Sequence, residues 1–294
     1  MKYHEPVLFA EVLAHLKVEK GKRYIDATLG DGGHTLGILE KGGVVLGLDV
    51  SEESLERARN RIKSEGFEEN FTGVLGNFKN IEEVAKREDF SEVNGIIYDL
   101  GYSSYQLDES DTGLSFQKDL PLDMRLDSSL GVTAADLVNV LSEKQLTKLI
   151  FDYSGEKMAK KFAKEIVKAR SLKKIESTKD LSDILVGASS PGYERGRINP
   201  STRTFQALRI AVNDEMANLE KSLPRAARLL LPGGNLLVIS FHSLEDELVK
   251  SFGRGAQPCI NPVNKKPEVP SQKEIGENPR SRSAKLRVFE KKEC

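Results

Sequence analysis

Hydrophobic and polar positions alternate with two periods over the first hundred residues. Val7, Leu8, Val12, Leu13 and Leu16 recur at helical spacing and predict a helix over 6–16. Short apolar runs follow at 24–27, 44–48, 71–75 and 93–100. They read as strands, and their near-continuous apolar character suits burial on both faces. Helical segments separate them. One, at 36–39, stops at Gly42-Gly43. The next opens at Ser51 as an N-cap, with Leu55, Ala58 and Ile62 as its buried stripe. Its other face, Glu52, Glu53, Glu56, Arg57, Arg59 and Lys63, reads as solvated. A short helix is expected over 81–86. Strands alternating with helices predict a parallel, doubly wound sheet.

From Gln106 to Thr204 the strand pattern disappears. Helices are expected over 133–141, 143–151, 156–170 and 178–186, with an ordered loop at 121–125. A long helix over 205–231 follows, ended by Pro232-Gly233-Gly234, and then the most apolar strand, 235–241. Ser243 is the expected cap of the next helix. The polar stretch 253–278 contains four prolines and is expected as a mobile loop, and 284–289 as a last strand. The expected organisation is a discontinuous α/β domain, 1–105 with 205–294, interrupted by a helical insertion, 106–204.

The stretch Asp26-Ala27-Thr28-Leu29-Gly30-Asp31-Gly32-Gly33-His34-Thr35 joins the first strand to the next helix. Glycines there let the backbone approach a ligand that side chains would keep away. The second strand ends in Asp49, about 20 residues on, where ribose hydroxyls need an acceptor. Two cofactor classes fit. A dinucleotide seats its pyrophosphate on the helix N-terminus and prefers a third glycine, where this chain has Thr35. S-adenosylmethionine has the ribose without the phosphate. Asp26, Thr28, Gly30 and Gly32 occupy the alternate positions of the acidic, glycine-rich methyltransferase motif, with Thr28 replacing its first glycine. Asp26, Asp49, Phe78 and Asp99 all fall at strand carboxyl ends, where such sheets bind ligands.

Asp99 is placed to accept a hydrogen from an amine, whose nitrogen must rehybridise before it attacks a methyl group. Cofactor contact is its other reading. Asp123 and Arg125 read either as substrate positioning or as a salt bridge. His242 reads as a general base or as a structural residue. The formal net charge of −1 gives no global attraction to nucleic acid. Local runs differ: residues 144–174 hold ten basic and three acidic side chains, and residues 280–292 six and one. Such patches suit a phosphate backbone, as does the group Arg195, Arg197 and Arg203. Four scattered histidines without a Cys-x-x-Cys pair speak against structural zinc. Two late cysteines speak against a disulfide framework and for a cytoplasmic setting. No signal peptide or membrane-length apolar run is present.

Over nearly its full length the chain resembles the bacterial ribosomal RNA small-subunit methyltransferase H family, also called MraW. The resemblance rests on Asp26 through His34, Asp99 through Leu107 and Pro121-Leu122-Asp123-Met124-Arg125. It continues through Thr202-Arg203-Thr204-Phe205-Gln206-Ala207, Ser240 through Asp246 and Asn278 through Ser283. It implies a Rossmann-like, class I S-adenosylmethionine-dependent methyltransferase sheet with a helical insertion that helps bind the target nucleotide. The implied reaction methylates the exocyclic N4 amine of a cytidine in the decoding region of 16S ribosomal RNA, within the small subunit. Implied cofactor contacts are Gly32, Gly33, His34, Asp49, Phe78, Asp99 and Gln106. Asp99 is the candidate catalytic group, and Asp123, Arg125 and Arg203 the candidate substrate contacts. Two rivals stand beside it: a nicotinamide oxidoreductase on the same sheet, and a non-catalytic, S-adenosylmethionine-sensing RNA-binding assembly factor. Monomer and homodimer both remain open.

Overall fold

The computed structural model describes residues 3, 5–102, 106, 111–255 and 259–293. It divides into two compact units, Met1–Ser103 with Met216–Cys294, and Ser104–Glu215.

The first unit is built on a seven-stranded sheet of order β3-β2-β1-β4-β5-β7-β6. Its strands are β1 (Arg23–Asp26), β2 (Val44–Asp49), β3 (Phe71–Leu75), β4 (Val93–Asp99), β5 (Leu230–Ser240), β6 (Ile260–Pro262) and β7 (Lys285–Lys291). The first five run parallel; β7 is antiparallel to both β5 and β6. Strand pleating sends alternate residues to opposite faces. Ile25, Leu46, Ile96, Tyr98 and Val238 join one core with Leu219, Leu223 and Val249. Tyr24, Val45, Ile97 and Ile239 join the other with Val12, Leu16 and Ile38. The expected doubly wound sheet is therefore present. Its helices are α1 (Phe9–Leu16), α2 (Gly33–Glu40), α3 (Glu52–Ser64) and α4 (Ile81–Arg87).

The second unit holds α5 (Ala134–Val140), α6 (Glu143–Ser154), α7 (Ala159–Arg170), α8 (Thr178–Ala188) and α9 (Ser201–Asn213). Thr133 with Asp136, and Ser142 with Gln145, form reciprocal capping boxes that start α5 and α6. Gly155 ends α6 at φ 63°. Phe162, Ala163 and Ile166 of α7 are buried, as the periodicity requires.

Several expectations change. The single helix expected over 205–231 is two, α9 and α10 (Glu215–Leu229), because Asp214 adopts the left-handed φ of 50°. The division between the units falls there, at 215/216, not at 204/205. The stretch expected as a loop contains β6 and α12 (Gln272–Glu277). Pairing with β7 supplies the order that local sequence lacks, from Ile260 opposite Lys291 to the bridge between Glu268 and Leu286. That pairing also sets Cys259 beside the chain end: the Lys292 N–H donates to its carbonyl at 2.6 Å. Cys259 is disulfide-bonded. The cap of α11 (Ser243–Arg254) is His242, not Ser243. No helix among the described residues is long and apolar enough to cross a membrane.

Candidate active site

The polar residues of the sheet unit gather at the carboxyl ends of β1, β2 and β4. There the chain order reverses, since β2 lies on one side of β1 and β4 on the other. Such a switch point opens a crevice for a ligand. The turn after β1 hangs between both neighbours: the Ala27 N–H donates to the Ile97 carbonyl at 2.9 Å and the Leu29 N–H to the Leu48 carbonyl at 2.8 Å.

Asp26 is 2% exposed. Its carboxylate accepts the Thr35 hydroxyl at 2.8 Å and the Thr28 N–H at 3.2 Å. Burial still raises its pKa above the ordinary carboxylate value; His34 pulls the other way. The Thr28 hydroxyl oxygen accepts the Asp99 N–H at 2.6 Å, so the turn and the end of β4 are tied together. Asp49 accepts the Gly30 N–H at 2.8 Å on one oxygen and the Ser51 N–H at 2.8 Å on the other. Burial pushes its pKa up to about 6 against those backbone donors. Each oxygen keeps a lone pair that a hydroxyl donor can use.

The glycines act differently from what the motif suggests. Gly30 and Gly32 have φ of 51° and 73°, which L side chains rarely adopt. A Cβ on Gly32 would lie 3.3 Å from the Ala58 Cβ, and one on Gly33 would lie 3.1 Å from the Pro6 ring. Those two positions are bare because the protein packs against them. Gly32 also offers no side-chain cap to α2. The first-turn N–H groups, which no intrahelical carbonyl takes, face whatever lies beyond.

His34 stands in that first turn, 4% exposed, stacked on Phe9 with ring centroids 6.1 Å apart. Its Nε2 is 3.5 Å from the Asp99 Oδ2. Among the described residues neither ring nitrogen has a hydrogen-bond partner. A buried imidazole with both nitrogens unmatched signals a missing polar group. Asp99 Oδ1 accepts the Gly101 N–H at 3.2 Å, leaving Oδ2 facing His34. Phe78, just after β3, packs edge-on to Tyr98 at 5.6 Å. Its carbonyl accepts the Ser222 hydroxyl at 2.7 Å, and Ser222 also meets the Tyr98 hydroxyl at 2.5 Å. The crevice thus combines an acceptor for a diol, an apolar edge, bare helix amides and an unmatched imidazole. Those features fit S-adenosylmethionine, whose nucleoside is polar and whose adenine is flat.

Sequence reasoning missed three supports. Arg57 is not on a solvated face: it forks onto the buried Asp31 at 2.8 and 3.0 Å and lies beneath Tyr3. Arg59, from the same face, donates to the Gly73 carbonyl at 2.7 Å. Ser222 reads as an ordinary helix residue that no spacing rule marks, whereas Thr35 enters the motif only in place of a third glycine. His242 uses Nδ1 to accept the Glu245 N–H at 3.3 Å, while Glu245 accepts the Phe241 and His242 N–H groups at 2.7 and 3.2 Å. It serves the end of α11.

The candidates of the helical unit are committed locally. Arg125 forks onto Asp123 at 2.7 and 2.8 Å and donates to the Leu130 and Ser128 carbonyls at 2.6 and 3.1 Å. The guanidinium holds the Asp123 carboxyl below its usual range. Between them Met124 is fully buried at φ 64°, its carbonyl accepting from Asn213 at 2.8 Å. Arg203 lies 2.6 Å from Glu194 and 3.6 Å from the buried Glu156, which Tyr193 also hydrogen-bonds. Gln106 is half-buried; 103–105 and 107, from the same block, lie outside the described residues.

The model of the family described as the MraW methylase family matches residues 1–292. A protein of Carboxydothermus hydrogenoformans named ribosomal RNA small subunit methyltransferase H is 44% identical, covering 98% of this chain and 97% of its own. One of the same name from Geobacter sulfurreducens is 46% identical, covering 98% of both. A solved rRNA methylase from Streptococcus thermophilus aligns with a TM-score of 0.46 at 12% identity, over 96% of this chain and 93% of that one.

Proposed function

This chain belongs to the MraW methylase family, and from that premise we propose that it methylates the exocyclic N4 amine of a cytidine in the decoding region of 16S ribosomal RNA, acting on the small subunit. It is an S-adenosylmethionine-dependent methyltransferase of Rossmann-like fold. The bound cofactor supplies an electrophilic methyl group. Asp49 would hold the ribose hydroxyls, its carboxylate already oriented by two backbone donors. The first turn of α2 and His34 would line the polar side, and Phe78 the apolar side, with Gln106 as a further contact.

The observation that carries the reading is the pairing of buried His34 with half-buried Asp99, 3.5 Å apart with the imidazole unmatched among the described residues. The amine lone pair is delocalised into the base, and a hydrogen-bond acceptor on one N–H helps it localise. Asp99 Oδ2 is the group for that role. With the cofactor supplying the methyl group, Asp99 would accept the proton that the methylated amine gives up. His34 steadies the carboxylate. A cytidine reaches such a crevice only out of its stack. Asp123, Arg125 and Arg203 would serve the substrate by fixing their loops, since each guanidinium is already ion-paired.

The test is methyl transfer from labelled S-adenosylmethionine to purified small subunits and to naked rRNA, with nucleoside digestion. N4-methylated cytidine from the subunit supports the reading. A different methylated nucleoside corrects the acceptor. Cofactor binding without transfer to either RNA would instead support the sensing assembly factor.

A further inference from the structure

The two basic runs of the sequence differ in the fold. In the tail, Lys285 and Arg287 lie 2.9 and 2.7 Å from the two oxygens of Asp246. Lys291 donates to the Ala227 carbonyl at 3.2 Å, and Lys292 pairs with Glu290. That run is largely neutralised within the sheet unit. In the helical unit, Lys160, Lys161 and Lys164 are exposed on α7, opposite the buried Phe162, Ala163 and Ile166. Among the described residues no ion pair or hydrogen bond reaches any of the three. Lys168, on the same face, has Glu165 at 3.9 Å, the outer limit of an ion pair.

The helix also departs from a charge rule that most others here keep. An acidic residue occupies the first turn of α3, α4, α5, α6, α8, α10, α11 and α12. The first turn of α7 has none and carries Lys160 and Lys161 instead. Its N-cap, Met158, makes no side-chain cap bond. Cations at a helix N-terminus oppose the macrodipole. Buried Glu156 accepts the Met158 N–H at 2.7 Å but is shared with Tyr193 and Arg203. Lys160 and Lys161 therefore stand at a helix end that disfavours them, with Lys164 one turn further on the same face. A polyanion relieves the repulsion and gains from releasing its own counterions.

We infer that Lys160, Lys161 and Lys164 form a docking surface for the phosphate backbone of the RNA substrate; this rests on the rRNA reading above. It contributes affinity and no base specificity. The experiment is filter binding of a 16S rRNA fragment across a salt series, for the full chain, for K160Q/K161Q/K164Q and for K20Q/K22Q/K41Q. The second triple removes the same charge from exposed positions near the amino-terminal ends of β1 and β2. Loss of three contacts should lower the salt slope by about 2 and the affinity near 0.1 M salt by roughly ten- to hundredfold. Helicity and S-adenosylmethionine affinity should stay unchanged, and K160R/K161R/K164R should bind like the native chain. Native slope in the α7 triple, or an equal fall in the control triple, overturns the surface and leaves the methyltransferase reading intact. No binding of the fragment by the native chain overturns the surface, and the methyltransferase reading falls with it only if the small subunit is not methylated either.

Discussion

The strand-end carboxylates of the sheet unit and the loop carboxylates of the helical unit are held in opposite ways. In the sheet unit, Asp26 and Asp49 are buried at strand ends, bonded to backbone N–H groups and a hydroxyl, and their pKa values rise. In the helical unit, Asp123 and Glu194 face guanidinium groups, and their pKa values fall. A carboxylate matched to a fixed cation has completed its interactions. One held by neutral dipoles in an apolar setting still responds to a ligand. The first arrangement suits a site and the second suits a loop that must keep its shape. The family match extends over both units without separating these roles.

The sharpest way to break that contrast is Asp99→Asn. It preserves shape and removes the anion beside His34. Methyl transfer should fall by about 10²- to 10⁴-fold with the melting temperature unchanged; transfer within threefold of native would remove Asp99 from the chemistry. Next in size is Thr35→Val, which leaves a buried oxygen of Asp26 without its hydroxyl donor. Denaturant unfolding should show a loss of about 2 kcal/mol. An unchanged midpoint would mean that Asp26 is held by other means.

The pH dependence of cofactor binding tests Asp49. A carboxyl whose folded pKa lies above its unfolded value binds extra protons when folded. The ligand-free chain therefore loses stability from this group as pH rises from 3.8 through about 6. A ligand whose hydroxyls donate to the carboxylate favours the ionised form, so affinity runs the other way. Calorimetry should find S-adenosylmethionine bound about tenfold more weakly at pH 5 than at pH 7. Asp49→Asn should bind weakly with a flat profile; a native profile in that variant refutes the assignment. The smallest effect belongs to Arg125→Lys, which keeps the charge and loses the fork. A stability loss of about 1 kcal/mol is expected. Because the Asp123 pKa is depressed, that pair stabilises the fold above 3.8 and the contribution is lost as pH falls through the folded value. Acid titration of native and variant should converge there, and parallel curves would contradict the pairing.

Much of the sheet was legible because its signals are local. The near-continuous burial of β1, β2 and β4, the glycines at positive φ and the carboxylates ending those three strands are features of consecutive residues. The helices α5 to α8 were legible for the same reason, through their caps and apolar stripes. The break at Asp214 was not: a left-handed residue inside an apolar periodicity leaves no mark when it is not glycine. Nor was β6, whose order comes from β7, more than twenty residues away along the chain for Ile260.

The sequence by itself determined the order of the parallel strands, the position of the glycine turn, the acidic strand ends and the family. Each depends on residue type and spacing over a few turns of chain. Only the tertiary structure decided which charges are spent. It forked Arg57 onto Asp31 and Arg125 onto Asp123, bound the tail cations Lys285 and Arg287 to Asp246 and, among the described residues, left Lys160, Lys161 and Lys164 without partners. Charge pairing depends on distance in space, and a composition count carries no information about which opposite charge the fold brings near.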